Sequence, residues 1–354
     1  GLRHGYIINI SDVVDSVARA ANDASAAAGI PIKRAYLSIG GIGLESIVTP
    51  GSVVISRADY EITDLDVGKV TEDAESRIPQ PSIINRKILH YIPLEYKIDG
   101  RKALSKPVGL KGMRLEGKIL FVTCLEQHFN DLVTAVEAAG IEVMDEVAAP
   151  LAASLVTLTR AQKTAGCVLA NIGAETVSIG VFENNLPISI EVLPIGSTDI
   201  THDIALGLKI PIEEAEEVKR RGSSGTPHPR RKLDEIILAR LTDIFELIEA
   251  HLKKIGKNGL LPAGIIITGG GSGVMTIEEL ARATLRLPSR VATLEILRAA
   301  KTEAKDGSWA VAYGLCILGF SEDGSSNYGP SFLSGVDFGK IGRTLSNWFK
   351  QFLP

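Results

Sequence analysis

A short run of glycines constrains this chain more than any other feature of its sequence. The apolar stretch 265–267, typical of a strand, leads through Thr268 into three consecutive glycines, and a helical pattern follows from Thr276 to Leu285. Only glycine lets a backbone turn this tightly and lie against a ligand without an intervening Cβ. The free N–H groups that open the helix favour a phosphate or a ribose-phosphate edge. Because short glycine-rich loops are weak motifs, a closely packed strand-to-helix turn is the alternative.

The composition sets the broad class of the protein. At 354 residues the chain exceeds the roughly 250 to 300 residues that a single core reaches, so we expect two or more domains. A hydrophobic share of 45%, a charged share of 23% and a net charge of -4 are typical of a soluble globular protein. This balance does not favour nucleic acid as a partner.

The cysteines and the apolar runs bear on the compartment. Cys124, Cys167 and Cys316 lie far apart in apolar surroundings, which predicts buried, reduced thiols in a cytoplasmic protein and no metal site. No run reaches the roughly 18 apolar residues of a spanning helix, and no signal peptide opens the chain. The first residue is Gly1, not Met, and it is soon followed by a strand pattern. We therefore expect an N-terminal piece to be absent from this sequence.

The start of the chain predicts helices packed on a sheet. Residues 5–10 predict a strand, and Ser11 or Asp12 can cap a helix that ends before Gly29. A second strand follows from Arg34 to Ile39. These elements form an αβ layer.

From residue 42 the character of the chain changes. Short strands are predicted at 52–56, 89–98 and 117–122. They flank one helix that starts at the Thr63/Asp64 cap and another from Glu126 to Ala139. We interpret residues 42–145 as a compact α+β subdomain inserted between αβ layers.

The second half returns to strands and longer helices. Residues 168–196 predict three strands, the last two joined by a hairpin turn at Asn184 and Asn185. The predicted helices of this half are 199–208, 212–221, 231–255 and the apolar 309–320. Ala310, Ala312 and Gly314 would allow this last helix to approach a neighbour closely.

Three separated stretches favour a nucleotide site. The first is the loop Gly269, Gly270 and Gly271. The second is the turn between the first two strands of 168–196, where backbone amides near Gly173 could meet a phosphate. The third is a pair on one helical face, Glu216 and Lys219, which could grip a ribose and an adenine edge. Each has an alternative: a packing glycine, a hairpin turn and a surface ion pair.

The order of these motifs resembles the actin, sugar-kinase and heat-shock-70 superfamily and, within it, the FtsA family of bacterial cell-division proteins. The resemblance lies in ANIGAETVSIGVF, PIGSTDITHDIALGL, the Glu-x-x-Lys pair, GIIITGGGSGV and WAVAYGLCILG. It extends to the inserted module through HYIPLEYKIDG and RLEGKILFVT. It implies an α/β, actin-like two-lobed ATPase fold with an inserted α+β subdomain, a C-terminal amphipathic helix and missing N-terminal strands. It also implies that ATP or ADP, with Mg²⁺, is bound by the residues Gly269, Gly270, Gly271, Asn171, Gly173, Ala174, Glu175, Thr176, Glu216 and Lys219.

The resemblance divides the chain into segments. The expected segments are an incomplete first lobe (1–41 and 146–165), the inserted subdomain (42–145), a nucleotide core (166–208 and 262–320), a helical part of the second lobe (209–261), a flexible linker (321–337) and a membrane-targeting helix (338–354).

Two departures from the family pattern argue against efficient hydrolysis. Asn171 and Ser178 occupy positions that usually carry acidic residues around a hydrated Mg²⁺, and neutral ligands attract this ion less. Glu175 stands where a glycine is common, and its carboxylate repels phosphates. The first phosphate motif would lie before Gly1. We therefore expect ATP binding with at most weak ATPase activity and no catalytic residue.

The last residues have a pattern of their own. Large apolar side chains recur at helical spacing in one stripe, and basic residues lie elsewhere, with no acidic residue after Asp337. The expected membrane-binding residues are Phe338, Lys340, Ile341, Arg343, Leu345, Trp348, Phe349, Lys350 and Phe352. This pattern is typical of a helix lying in the membrane interface. A helix docked on its own domain or in a partner groove is the alternative.

By resemblance, the chain is expected to be a filament-forming scaffold that anchors the FtsZ ring to the cytoplasmic face of the membrane at the division site. The implied partners are the chain itself, the FtsZ C-terminal peptide, anionic inner-membrane lipids and other division proteins. Two rivals remain open, a pilus-assembly scaffold of the PilM type and a metabolite kinase of the same superfamily.

Overall fold

A computed structural model describes residues 1–221, 230–274, 276–293 and 307–322. The strands are β1 (Leu2–Arg3), β2 (Tyr6–Ile7), β3 (Arg34–Ile39), β4 (Glu45–Val54), β5 (Arg86–Ile98), β6 (Arg101–Lys102), β7 (Arg114–Leu125), β8 (Glu142–Ala148), β9 (Cys167–Ile172), β10 (Val177–Glu183), β11 (Leu186–Leu193), β12 (Ile265–Thr268) and β13 (Ser289–Val291). The helices are α1 (Ile10–Ala28), α2 (Asp64–Ser76), α3 (Glu126–Ala138), α4 (Ala149–Thr157), α5 (Arg160–Ala165), α6 (Ser197–Leu208), α7 (Ile212–Arg221), α8 (Arg230–Lys254), α9 (Ile277–Leu285) and α10 (Ala310–Glu322).

Most strands lie in one mixed sheet with the order β13-β12-β9-β10-β11-β4-β7-β5-β6. Two smaller sheets accompany it, the hairpin β1-β2 and the parallel pair β3-β8. The two parts of the large sheet meet where β11 and β4 pair through a single residue pair, Glu191 and Glu45. The hydroxyl of Ser46 strengthens this junction, since it donates to the Ile190 carbonyl at 3.1 Å and accepts from the Ile190 N–H at 2.7 Å.

The strand predicted at residues 5–10 is confirmed only for Tyr6 and Ile7, which form β2. It is shorter than predicted, because α1 already begins at Ile10. The cap is Asn9, whose side-chain oxygen accepts from the Ser11 N–H at 3.1 Å, so neither Ser11 nor Asp12 is the capping residue. This side chain satisfies a backbone donor that the first helical turn leaves free, and the helix therefore starts earlier than the apolar pattern suggests. The predicted end of the helix is confirmed by Gly29, at φ 69°.

The strands β4, β7 and β5 form an antiparallel unit with α2 across one face. The predicted start of α2 is confirmed, because the Asp66 carboxylate accepts from both the N–H and the hydroxyl of Thr63, at 2.9 and 2.7 Å. The helix lies close to the sheet since Gly51 and Gly117 have no Cβ that would overlap Val70. The opposite face of this unit contributes to the main core with α4 and α10.

The second half contains the predicted meander β9-β10-β11, with Asn184 and Asn185 at φ 52° and 66° in its hairpin turn. β12 lies parallel to β9, and α6, α8 and α9 cover this part of the sheet with a second apolar core. On the other side α10 packs on α4. The prediction of a close approach is confirmed, because a Cβ on Gly314 would overlap the carbonyl of Ala152.

In the described ranges no helix combines the length and apolar character needed to cross a bilayer. The linker and the membrane-targeting helix predicted at 321–337 and 338–354 fall outside the described residues from residue 323 onward.

Candidate functional site

The glycine loop follows β12 at the carboxyl end of two parallel strands, β9 and β12. Gly269 has a φ of 91°, which disfavours any other residue, and a Cβ there would overlap the Ile172 carbonyl and the Asn171 side-chain oxygen. A Cβ on Gly271 would also press on the Ile172 side chain. Both glycines are therefore required by packing against β9, as the alternative interpretation supposed.

Gly270 differs from its neighbours. It is exposed, and among the described residues the nearest heavy atom to a Cβ at this position is Ser308 Cβ, at 4.0 Å. The fold itself therefore leaves space in front of Gly270, on the side from which a ligand can approach the backbone. Carboxyl ends of parallel strands are where ligands commonly bind in α/β proteins.

The helix expected directly after the glycines is a 3-10 turn, Gly270–Gly273, and α9 begins only at Ile277. The first turn of α9 carries Glu278 and Glu279. Two carboxylates at a helix start already offset its dipole and repel a phosphate. The expected phosphate site at this helix N-terminus is therefore not supported, and the loop backbone is the part that remains available.

Gly307 closes one side of the loop and was not expected from the sequence. Its carbonyl accepts from the Gly269 N–H and the Thr268 hydroxyl, both at 3.2 Å. The only sequence feature that could have indicated this role of Gly307 is its position before the apolar helix α10. It connects the glycine loop to the start of α10.

The turn between β9 and β10 lies beside the loop, because β9 and β12 pair up to Asn171 and Thr268. The Gly173 N–H donates to the Thr176 carbonyl at 2.8 Å. This N–H is thus satisfied inside the turn. Amides near Gly173 were expected to bind a phosphate, but the amide of Gly173 itself is not free to do so. The carbonyls of Gly173 and Ala174 accept from the N–H groups of Ser197 and Thr198 that open α6, at 2.9 and 2.8 Å.

Glu175 is tied to the beginning of the chain. Its carboxylate accepts from the His4 N–H at 2.5 Å, and its carbonyl lies 3.1 Å from His4 Nδ1. The carboxylate is half-buried between the turn and the β1-β2 hairpin. Asn171 and Ser178 face each other in the β9-β10 ladder. The two neutral side chains thus lie near the loop, next to a turn that carries one acidic group.

Glu216 and Lys219 form the ion pair of the alternative interpretation. The Lys219 ammonium lies 2.7 Å from the Glu216 carboxylate and donates to the Ser197 carbonyl at 3.0 Å and the Thr201 hydroxyl at 2.8 Å. The Thr201 hydroxyl donates to Glu216 at 2.6 Å. Burial would raise the pKa of the Glu216 carboxyl, but the hydrogen bonds from Lys219 and Thr201 lower it overall. The pair fixes α7 to the start of α6.

These contacts form one connected path. It runs from the glycine loop through Asn171 and Ile172 to the β9-β10 turn, then through the start of α6 to Lys219. The structure thus brings the three stretches together around the carboxyl ends of β9 and β12. The residues from Phe338 to Phe352 that were expected to bind a membrane lie outside the described ranges.

Comparison with known proteins gives two family matches. Residues 168–314 match the model of the cell division protein FtsA, and residues 41–123 match that of the SHS2 domain inserted in FtsA. The FtsA of Pseudomonas aeruginosa is 30% identical over 98% of this chain and 88% of its own length. The chain belongs to the FtsA family.

Other comparisons agree with this membership. The FtsA of Bacillus subtilis is 30% identical over 83% of this chain and 70% of its own length. Among solved structures, the PilM-PilN type IV pilus biogenesis complex has a chain that superimposes with a TM-score of 0.64 at 19% identity, covering 90% of this chain and 88% of that one. At this identity the likeness concerns the fold alone. The chain is thus an α/β, actin-like cell-division protein with the SHS2 insertion of its family.

Proposed function

We propose that this FtsA-family protein binds ATP or ADP at the carboxyl ends of β9 and β12. The observation that carries the proposal is Gly270, which is exposed, has open space where a Cβ would be, and lies in the loop that packing of Gly269 holds in place. The rest of the proposed set is Gly269, Gly271, Asn171, Gly173, Ala174, Glu175, Thr176, Glu216 and Lys219. For Glu216 and Lys219 to hold a ribose, their present ion pair must open.

In this proposal the bound ATP is hydrolysed slowly, so the protein stays in its ATP-bound state. Asn171 and Ser178 are neutral, so a Mg²⁺ that accompanies the phosphates would be held mainly by the nucleotide and water. Glu175 adds a negative charge near the same turn. Weak ATPase activity at most follows from this charge pattern, and it suits a scaffold whose assembly depends on bound nucleotide.

The scaffold is proposed to form filaments at the cytoplasmic face of the membrane, at the division site. Residues 338–354 would lie in the interface of anionic lipid, with their apolar stripe in the acyl region and Lys340, Arg343 and Lys350 at the headgroups. The inserted unit 42–145 would make contacts along the filament. The filament would hold the FtsZ ring through its C-terminal peptide, together with other division proteins.

Filament formation and membrane binding support each other in this proposal. The apolar side chains of one tail contribute ~1 kcal/mol each when partly buried, and each basic residue contributes ~1 kcal/mol near anionic lipid. Ordering a short helix offsets much of this gain. A single tail therefore binds modestly, whereas many tails on one filament bind firmly through their effective concentration.

Two other functions remain as rivals. A pilus-assembly scaffold is suggested by the PilM-PilN likeness, which concerns the fold alone. A metabolite kinase of the same superfamily would need a catalytic carboxylate near the transferred phosphate, where this chain has Asn171 and Ser178.

Co-sedimentation with vesicles tests the membrane part. We expect the full chain to pellet with vesicles of phosphatidylglycerol and phosphatidylcholine, and a chain ending at residue 337 to stay in the supernatant. Phe349→Glu should weaken binding strongly, because it places a charge in the apolar stripe. Asn347→Glu is the matched control, since it lies about 150° away from the stripe at about 100° per residue.

Equal pelleting of the Phe349→Glu and Asn347→Glu variants would refute the membrane helix. Calorimetry with ATP and ADP tests the nucleotide part, for which we expect saturable binding of both. Transfer of a phosphoryl group to a small substrate would overturn the scaffold in favour of the kinase.

A further inference from the structure

An open groove lies on the inserted unit, far along the sheet from the nucleotide site. It runs between α2 and β5 and is closed at one end by Lys106, Pro107 and Val108, with a volume of about 610 Å³. Its floor is made by Tyr91, Pro93 and Tyr96. We call it the α2-β5 groove.

The groove exists because α2 covers only part of the sheet. Because α2 packs closely on Gly51 and Gly117, it lies over β4 and β7. Among the residues that the structure describes, no element covers the adjacent face of β5. Tyr96 is 7% exposed and Tyr91 37% exposed. Tyr96 is thus buried, and the solvent-accessible part of the floor is formed by Tyr91 and the half-buried Pro93. This exposed apolar surface favours an apolar occupant.

The rim of the groove is negatively charged. Asp64, Glu72 and Glu75 line it from α2 and are exposed. In the ranges that the structure describes, no ion pair neutralises any of these three carboxylates. Lys106 is the one basic residue among those that line the groove. The groove therefore matches an occupant with an apolar stripe and positive charges beside it.

The last residues of the same chain have this chemistry. Their stripe contains aromatic and aliphatic side chains from Phe338 to Phe352, and Lys340, Arg343 and Lys350 lie outside it. As a helix, this stripe is about 20 Å long at about 1.5 Å per residue. The 13 residues of α2 give a wall of about the same length, about 20 Å.

The segment between α10 and the apolar stripe of the tail is long. α10 ends at Glu322, and residues 323–337 can span up to about 50 Å at about 3.3 Å per residue. α10 packs on α4, and the Ala148 N–H just before α4 donates to Nε2 of the buried His90 at 3.1 Å. Tyr91 of the groove floor follows His90 directly. A short chain of packed elements thus connects the origin of the tail with the groove.

We propose that residues 338–354 dock in the α2-β5 groove of their own chain when no membrane is present, and that anionic lipid displaces them. The lipid partner in this statement rests on the proposed function, whereas the docking itself does not. Both sites take the apolar stripe, so one tail cannot occupy them together. Docking would also shield the stripe from solvent while the protein is off the membrane.

Tryptophan fluorescence of the full chain tests the docking. The sequence has two tryptophans, Trp309 and Trp348, so Trp309→Phe leaves Trp348 of the tail as the single reporter. We expect a blue-shifted emission without lipid, and a red shift with stronger acrylamide quenching after Glu72→Lys and Glu75→Lys are added. The control carries Asp23→Lys and Glu137→Lys, which change two exposed carboxylates outside the groove and alter the net charge equally.

Binding to vesicles of equal parts phosphatidylglycerol and phosphatidylcholine gives the second readout. Loss of the competing site should make the rim variant bind about three- to tenfold more tightly than the control variant, the effect expected for two weakened ion pairs. Identical emission and identical vesicle affinity of the two variants would overturn the docking. An emission shift that appears only as protein concentration rises would also overturn it, because the occupant would then be a second copy.

The experiments distinguish a failure of the docking proposal from a failure of the proposed membrane function. If no variant binds vesicles but the rim substitutions still shift the Trp348 emission, docking stands and the membrane function is wrong. If all variants bind vesicles equally and the emission does not respond to the rim, the membrane function stands and docking is wrong.

Discussion

Replacing Gly270 by alanine tests whether this glycine contacts the proposed nucleotide or is required only by the fold. Within the part of the chain that the structure describes, no heavy atom lies closer than 4.0 Å to a Cβ at Gly270. Its φ is not in the left-handed range. The folded state therefore accepts a methyl group, and the smaller entropy of the unfolded chain stabilises the variant by ~0.4–1 kcal/mol.

Nucleotide affinity should respond in the opposite direction. If a phosphate or adenosine lies against the Gly270 backbone, the new methyl group enters the space of the ligand, and overpacking costs ~1–3 kcal/mol. This corresponds to a loss of about five- to hundredfold in affinity. Calorimetric titration with ATP and ADP measures the affinity, and thermal unfolding of the nucleotide-free protein measures the stability.

Two other glycines serve as controls. Gly269→Ala should lower the stability by ~2–4 kcal/mol, because it combines a φ of 91° with overlap on β9. Gly273 lies in the same turn, and no described residue comes within 4 Å of a Cβ there. For Gly273→Ala we expect the parent's affinity together with the same small gain in stability as for Gly270→Ala. A Gly270→Ala variant that melts like the parent and binds ATP with unchanged affinity would refute the site.

Three further predictions concern the contacts around this site and the core. Lys219→Met should lower ATP affinity about tenfold, because it removes the side chain that joins α7 to the start of α6. Arg220→Met removes an exposed partner of the same Glu216 and should change the affinity less than about twofold. Equal losses of affinity for the two variants in calorimetric titration would contradict this prediction. Burial lowers the pKa of His90 to about 4 from its ordinary 6.5. Between these two pH values the imidazole is protonated in the unfolded chain but not in the folded one. The free energy of unfolding should therefore be largest above pH 6.5 and fall by up to ~3 kcal/mol as the pH drops from 6.5 to about 4. His90→Gln, which keeps an acceptor for the Ala148 N–H, should flatten the pH dependence of the melting temperature between pH 6.5 and 5, and an unchanged slope would exclude His90 as its source. Gly314→Ala should lower the stability by ~1–3 kcal/mol because its Cβ overlaps the Ala152 carbonyl, and thermal unfolding should show a smaller loss for Gly319→Ala, whose Cβ meets only the movable ring of Tyr36.

The sequence was sufficient to predict the ends of helices and strands where capping or turn residues lie at those ends. α1 ends at a left-handed glycine, α2 starts at a threonine with an aspartate three residues later, and two asparagines form the β10-β11 turn. In each case neighbouring residues satisfy the backbone groups that the element leaves free. The start of α1 is not predictable in this way, because Asn9 follows an apolar stretch that is typical of a strand, and the sequence pattern alone does not distinguish its capping role.

The three stretches of the proposed site were predictable from the sequence, whereas the contacts that their residues make were predictable only in part. The glycine loop, the β9-β10 turn and the Glu216–Lys219 pair were all found from their motifs, and the structure brings them together. The contact of Gly307 with the glycine loop was not predictable, since a single glycine before a helix is not a specific motif. The use of the Gly173 amide within its own turn was also hidden, because it depends on the Thr176 carbonyl that the turn places opposite it.

The sequence by itself determined the family, the order of the elements and the residues from which a site could be assembled, because these depend on short-range spacing and on motifs that survive in a linear chain. Tertiary structure decided which of three adjacent glycines is free to meet a ligand and which two are pressed against β9. It also decided that β11 joins β4 through one residue pair and that α2 leaves the floor of a groove uncovered. These outcomes depend on the distance between residues far apart in the chain, which only packing sets.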